Sequence, residues 1–167
     1  MGTKKHKQQA FKSFNTGVLT ISTSRSLSED ISGMWLVKEL KKEGHTLAFH
    51  DLVPDDKEII SCKIKDIDRQ YKPDVLLITG GTGISSTDIT IEAVKPFFDK
   101  ELTGFSSIFA YLSFKQIDSA AILSRACAGV MGKTVIFCMP GSLKACKLAA
   151  RELIFPEAGH ILKYIND

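Results

Sequence analysis

Short β-branched runs alternate along this chain with longer stretches whose apolar residues recur at helical spacing. Residues 17–22 (GVLTIS) predict a first strand, followed by a polar loop at 23–28. A helix is expected over 31–43, capped by Asp30, with Ile31, Met34, Val37 and Leu40 as its apolar stripe and Gly44 as a left-handed stop. Residues 46–53 predict a second strand. Pro54 opens another helix, with Asp55, Asp56 and Glu58 in its dipole-favoured first turn. Its buried face is marked by Ile60, Ile64, Ile67 and Tyr71. Residues 74–79 (DVLLIT) are almost unbroken apolar, the pattern of a parallel strand covered on both faces. Helical spacing returns over 89–99 and 105–114. Two strands are expected at 124–130 and 134–138, joined tightly through Gly132. Met139-Pro140-Gly141-Ser142 then opens a helix over 143–154, and a short final helix is expected beyond Pro156.

Repeated β-α units place helices on both faces of a mostly parallel sheet, which makes the expected fold a three-layer α/β/α sandwich. Ligands in such folds bind in the crevice at the carboxyl ends of the strands. Three polar or glycine-rich loops fall there, at 23–30, 80–88 and 140–144. A single crevice is the natural inference.

Composition narrows the partners. The chain has 167 residues, 44% of them hydrophobic, enough for one domain, expected over 14–167. Its longest apolar runs, 75–78 and 134–139, are too short to cross a bilayer, and no apolar stretch follows the basic first residues. A cytoplasmic protein without membrane contact is therefore expected. The net charge of +3 owes everything to Lys4, Lys5, Lys7 and Lys12, without which about −1 remains. Residues 1–13 thus predict a basic, disordered arm, and nucleic acid is not an expected partner. The four cysteines lack zinc or thioredoxin spacing. Cys127 and Cys138 lie symmetrically about the turn at Gly132, so a hairpin there would bring them face to face; free buried thiols are expected.

The most informative segment is Thr79-Gly80-Gly81-Thr82-Gly83. Its glycines let the backbone turn sharply and bring bare amides close to an anion. It matches neither the Walker A spacing nor the dinucleotide fingerprint. Asp88, five residues past Gly83, sits where a phosphate-bound magnesium ion could be held, since magnesium takes one or two carboxylates plus phosphates. Asp55 is a second acid at a strand-to-helix junction. Asp56 and Glu58 would serve the helix dipole equally well, so residue type alone does not single it out. His45, His50 and His160 have no ligand spacing and read as surface or strand-edge histidines.

The segments SGMWLVKELKKEGH, LLITGGTG, FDKELTGF, LSFKQI, AILSRACAGV, GKTVIF and MPGSLKAC, in this order, resemble the MoaB/MogA family of molybdenum cofactor biosynthesis proteins. The likeness covers almost the whole chain after about Phe14, and over 80–146 it is closer to MoaB. It implies a molybdopterin-binding fold and a trimer or a dimer of trimers. It also implies an activity: molybdopterin and ATP, with Mg2+, give adenylyl-molybdopterin and pyrophosphate, in a pathway continued by a downstream metal-insertion protein. By the same resemblance, Asp55 and Asp88 are the catalytic, metal-holding carboxylates. Gly80, Gly81, Thr82 and Gly83 bind nucleotide phosphate, while Ser113, Ser124, Arg125, Pro140, Gly141, Ser142 and Lys144 lie near the pterin and its phosphate. The bland alternatives are that Ser113 caps a helix and that Lys144 is merely solvated.

This chain departs from the family at Ser85-Ser86-Thr87-Asp88, where MogA-like members carry a basic approach to the second acid. The missing arginine bears on phosphate charge compensation. Some bacterial MoaB relatives lack the first acid and are poorly active, whereas this chain keeps both. Two functions therefore stand at this point: an adenylyltransferase, or a non-catalytic molybdopterin carrier. A flavodoxin-like nucleotide binder would require the motif order to be accidental. The aromatic stretch Phe97, Phe98, Phe105, Phe109 and Phe114 is of a kind that supplies either core or interface anchors.

Overall fold

Six strands carry the fold: β1 (Asn15–Ile21), β2 (Thr46–Val53), β3 (Val75–Thr79), β4 (Lys100–Glu101), β5 (Cys127–Met131) and β6 (Thr134–Met139). The computed structural model describes residues 11–167. The strands form one sheet in the order β2-β1-β3-β6-β5-β4. The first four in that order are parallel, and β5 and β4 are appended antiparallel. Alternate residues of each central strand feed opposite faces, as the strand period of two requires. Val18, Val75, Leu77, Val135 and Phe137 meet helices α1 (Ile31–Lys42), α4 (Thr103–Ile117), α5 (Leu143–Ala149) and α6 (Phe155–Asn166). Leu19, Leu76, Ile78 and Ile136 meet α2 (Lys57–Gln70) and the short α3 (Thr90–Val94). This is the expected three-layer α/β/α arrangement.

The apolar stripe of α1 differs from expectation. Ile31 and Met34 are 64% and 44% exposed, while Ser32, Gly33, Leu36, Glu39 and Leu40 are buried. The cause is polar. Asp30 is fully buried, accepts from the Gly33 amide (2.9 Å) and the Thr20 hydroxyl (2.5 Å), and meets His50 Nε2 at 2.9 Å. These bonds turn the first helical turn so that its small residues face the sheet. A Cβ on Gly33 would lie 2.0 Å from Asp30 Oδ2, so glycine is required there. His50, expected at the surface or a strand edge, is thus tied to a buried carboxylate.

Several boundaries also moved. α2 begins at Lys57, not Pro54: Asp56 is its cap, accepting from the Glu58 and Ile59 amides at 2.9 Å, which leaves Asp55 outside the helix. Its buried face is Ile60, Ile64 and Ile67, but Tyr71 is exposed beside Phe49. The helix expected over 89–99 is short, passing into a 3-10 turn at Lys95–Phe97 around Pro96, and the two-residue edge strand β4 was not foreseen. Ser124 and Arg125 precede β5 instead of lying within it. Helical structure continues from α5 through Pro156. A π turn at Ala150–Ile154 links α5 to α6, and Pro156 falls in the first turn of the new frame, where its missing N–H has no partner to lose.

Cys127 and Cys138 are register partners across β5 and β6, both buried and both free thiols. Residues 1–10 of the expected basic arm lie outside the described residues. Phe11 and Ser13 already contact the body, through Gly159 O (3.2 Å) and Gly44 O (2.8 Å). Among the described residues no helix is long and apolar enough to cross a membrane.

Candidate active site at the carboxyl edge of the sheet

The crevice forms because parallel strands end together. β1, β2, β3 and β6 release their chains at one edge, and antiparallel β5 enters from that same edge. The loop after β3 is the centre of it. Gly80 and Gly81 adopt φ of +98° and +60°, in the left-handed region that disfavours any side chain. A Cβ on Gly80 would lie 2.2 Å from the Ile21 carbonyl oxygen. The turn is pinned by Gly80 N to Met139 O (3.1 Å), Thr90 N to Gly81 O (2.9 Å) and Thr90 Oγ1 to Gly80 O (2.8 Å). Among the described residues, the amides of Gly81, Thr82, Gly83 and Ile84 find no acceptor. The Thr82 hydroxyl is likewise buried without a partner. Consecutive unpaired donors on a tight turn are what an anion requires.

Both candidate carboxylates stand over this turn. Asp55 Oδ2 accepts from the Thr23 amide (2.8 Å) and hydroxyl (2.9 Å), joining the ends of β1 and β2. Its Oδ1 lies 2.9 Å from where a Gly81 Cβ would be. Asp88 Oδ2 accepts from the Ser85 amide (2.9 Å) and approaches within 2.7 Å of the equivalent point on Gly83. In each acid one oxygen is anchored, while Oδ1 receives no hydrogen bond from the described residues. Both side chains are half-buried. Two oriented carboxylates beside a row of unpaired amides are hard oxygen donors next to anion-directed N–H groups, a set that would suit magnesium held jointly with a phosphate.

The remaining candidates separate into two groups. Ser113, Ser124, Pro140, Ser142 and Lys144 line one small cavity of about 110 Å³ beneath Phe109. Ser113 is buried inside α4 and caps nothing. Ser142 caps α5, accepting from the Ala145 amide at 3.2 Å, and its hydroxyl proton remains available. Lys144 is exposed and in no ion pair among the described residues. Gly141 is packed against Gly80, 3.1 Å from its Cα to a would-be Cβ, and its carbonyl accepts from Ser32 (2.8 Å). Gly141 and Ser142 also border a second hollow of about 300 Å³ with Arg25, Glu29 and Ser32.

Arg125 stands apart. Its Nε donates to the Thr82 and Gly83 carbonyls (3.0 and 2.9 Å), and Nη2 donates to Asp88 O (3.2 Å). Nη1 and Nη2 also reach the Glu92 carboxylate, at 2.5 and 3.3 Å. The guanidinium therefore grips the loop's carbonyls, and Glu92 offsets its charge. Sequence reasoning missed Glu92, Thr23 and Thr90, whose roles depend on partners distant in the chain. A wide cavity of about 660 Å³ lies at the amino ends of the strands around Phe14, His45 and Phe155, with neither acid nor the glycine turn in its lining.

Unpaired amides, two carboxylates and a serine-lined cavity lie along one edge of a mostly parallel sheet, the edge at which open α/β folds bind their ligands. Comparison with known proteins identifies the class. The family described as "Probable molybdopterin binding domain" matches residues 17–160, and the chain belongs to it. It is 43% identical over 162 residues to molybdenum cofactor biosynthesis protein B of Bacillus cereus, covering 96% of each chain. It is 40% identical over 174 aligned positions to a molybdopterin adenylyltransferase of Pyrococcus furiosus, with 100% of both covered. The crystal structure of the tungsten cofactor synthesizing protein MoaB from Pyrococcus furiosus superposes with a TM-score of 0.85 at 38% identity, spanning 95% of this chain and 100% of that one.

Proposed function

We propose that this protein is a molybdopterin adenylyltransferase of molybdenum or tungsten cofactor synthesis, joining ATP and molybdopterin to give adenylyl-molybdopterin and pyrophosphate. The observation that carries the reading is the joint placement of Asp55 and Asp88 over Gly81 and Gly83, beside four unpaired amides. The name of the Pyrococcus furiosus relative supports it. Molybdopterin phosphate and ATP repel one another, and their approach must be made favourable. Asp55 and Asp88 would hold magnesium, which supplies the positive charge that offsets the phosphates. The glycine-turn amides orient phosphate oxygens at fixed positions. Ser113, Ser124, Ser142 and Lys144 seat the pterin with its phosphate, so that a phosphate oxygen attacks the α-phosphorus and pyrophosphate leaves from the opposite side.

The test is direct. Purified protein, molybdopterin, ATP and magnesium should yield the AMP adduct and pyrophosphate. Binding without adduct would instead establish the carrier reading, which the absence of a basic residue in Ser85-Ser86-Thr87 favours.

The same proposal includes self-association in the cytoplasm, as a trimer or a dimer of trimers, and delivery of the product to a metal-insertion protein. Helix α4 is apolar on both sides. Phe105 and Phe109 enter the core, whereas Ile108, Tyr111, Phe114 and Ile117 are exposed, with Ile122 and Leu123 just beyond. Of the aromatic stretch noted above, only Phe114 faces outward; Phe97 and Phe98 pack against the second core. An exposed apolar face of this kind supports the self-association reading.

A further inference from the structure

Arg125 and Glu92 hold the glycine loop by its carbonyl side, and this geometry assigns them a task other than direct ligand contact. In a trans peptide the carbonyl of one residue and the amide N–H of the next point in opposite directions. Arg125 draws the Thr82 and Gly83 carbonyls to itself at 3.0 and 2.9 Å. It thereby turns the Gly83 and Ile84 N–H groups to the other side, and these two are among the amides with no acceptor in the described residues. Its third carbonyl, that of Asp88 at 3.2 Å, ties the far end of the loop to the same fork. Glu92 closes the arrangement with two bonds from Nη1 and Nη2. Hydrogen bonding from Arg125 holds the Glu92 carboxyl below its ordinary range, so the partner stays ionised.

We infer that Arg125 and Glu92 are positioning residues whose clamp sets the glycine loop with its amides toward the phosphate and its Asp88 end in register. This rests on the adenylyltransferase reading for its consequence in turnover, but on loop geometry alone for anion binding. Because Glu92 neutralises Arg125, the pair does not replace the basic residue missing from Ser85-Ser86-Thr87. Lysine cannot substitute, since one ammonium on a flexible stem lacks the planar fork that reaches three carbonyls and a carboxylate together.

The experiment titrates inorganic pyrophosphate into isotope-labelled full-length protein and follows the amide signals of Gly81, Thr82, Gly83 and Ile84. In the unmodified protein these signals should shift and saturate. Arg125→Lys should weaken the titration about 10- to 100-fold, with Glu92→Gln moving it less and in the same direction. In the adduct assay Arg125→Lys should lower kcat while molybdopterin affinity stays unchanged. Glu92→Gln keeps the test open should Arg125→Lys fold poorly. An Arg125→Lys titration equal to that of the unmodified protein would overturn the clamp, as would loop amides that ignore pyrophosphate. Lost molybdopterin binding with an intact pyrophosphate response would overturn it too, by making Arg125 a ligand contact. Weakened pyrophosphate binding in the variants supports the clamp even where the unmodified protein forms no adduct; that last result counts only against the enzyme reading.

Discussion

The two ends of the crevice offer different groups. At the glycine turn the groups offered are main-chain amides and two carboxylates, Asp55 held by Thr23 from the end of β1, Asp88 by the Ser85 amide of its own loop, and the loop itself by Arg125. At the α4–α5 end they are hydroxyls and one lysine: Ser113 within α4, Ser142 and Lys144 at the start of α5, and Ser124 in the segment before β5. Backbone donors cannot be removed by substitution, and their direction follows from φ and from what holds the carbonyls. Side-chain donors can be deleted one at a time with little change in the frame. Changes at the turn should therefore act on the chemical step, and changes at the helical end on affinity.

The largest expected effect comes from Asp88→Asn. Asparagine still accepts from the Ser85 amide but loses the charge a hard cation needs, so adduct formation should fall by more than about 10³-fold. Molybdopterin affinity and melting temperature should stay near those of the unmodified protein. Near-normal adduct yield at saturating magnesium would remove Asp88 from metal binding and dissolve the distinction between the two ends.

At the opposite end, Lys144→Ala and Ser113→Ala should each weaken molybdopterin binding by roughly tenfold, the range for a lost hydrogen bond or charge contact. Turnover of the bound complex should change little. If either instead lowered kcat at saturation, the helical end would share in the chemistry.

The smallest effect is expected outside the crevice, at His45. Its ring stacks on Phe14 with centroids 3.7 Å apart, and its Nδ1 is buried without a partner. Burial lowers its pKa, with Glu43 opposing in part. The unfolded chain then binds the proton more readily, so stability is fully present above about pH 6.5 and falls as acid approaches the lowered value. Thermal melts of His45→Phe between roughly pH 7 and pH 5 should show a shallower decline than the unmodified protein, with adduct formation unaffected. An unchanged slope would place the acid sensitivity elsewhere, and altered activity would link the amino edge to the crevice.

The order and type of the main elements were legible because burial periodicity is a local property. The run Val75–Thr79 is buried at every position, as an unbroken apolar strand should be. Asp55 was less legible. Residue type placed it in a helical turn with Asp56 and Glu58, and only the resemblance distinguished it. The α1 stripe was misread because a hydrophobic pattern does not register small and polar residues buried by hydrogen bonds, as Ser32 and Gly33 are around Asp30.

By itself the sequence determined the α/β sandwich, the loops that meet at its carboxyl edge, and the glycine turn with its neighbouring acid. All of these follow from spacing within a few residues. Only the tertiary structure decided that Asp55 leaves its helix to bond Thr23, 32 positions away, and that Ser113, Ser124, Ser142 and Lys144 share one cavity. It also decided that Arg125 grips the carbonyls of a loop up to 43 positions distant. Hydrophobic spacing records how deeply a residue is buried. A directional hydrogen bond depends on which atom arrives opposite it, and that is fixed only when the strands have assembled.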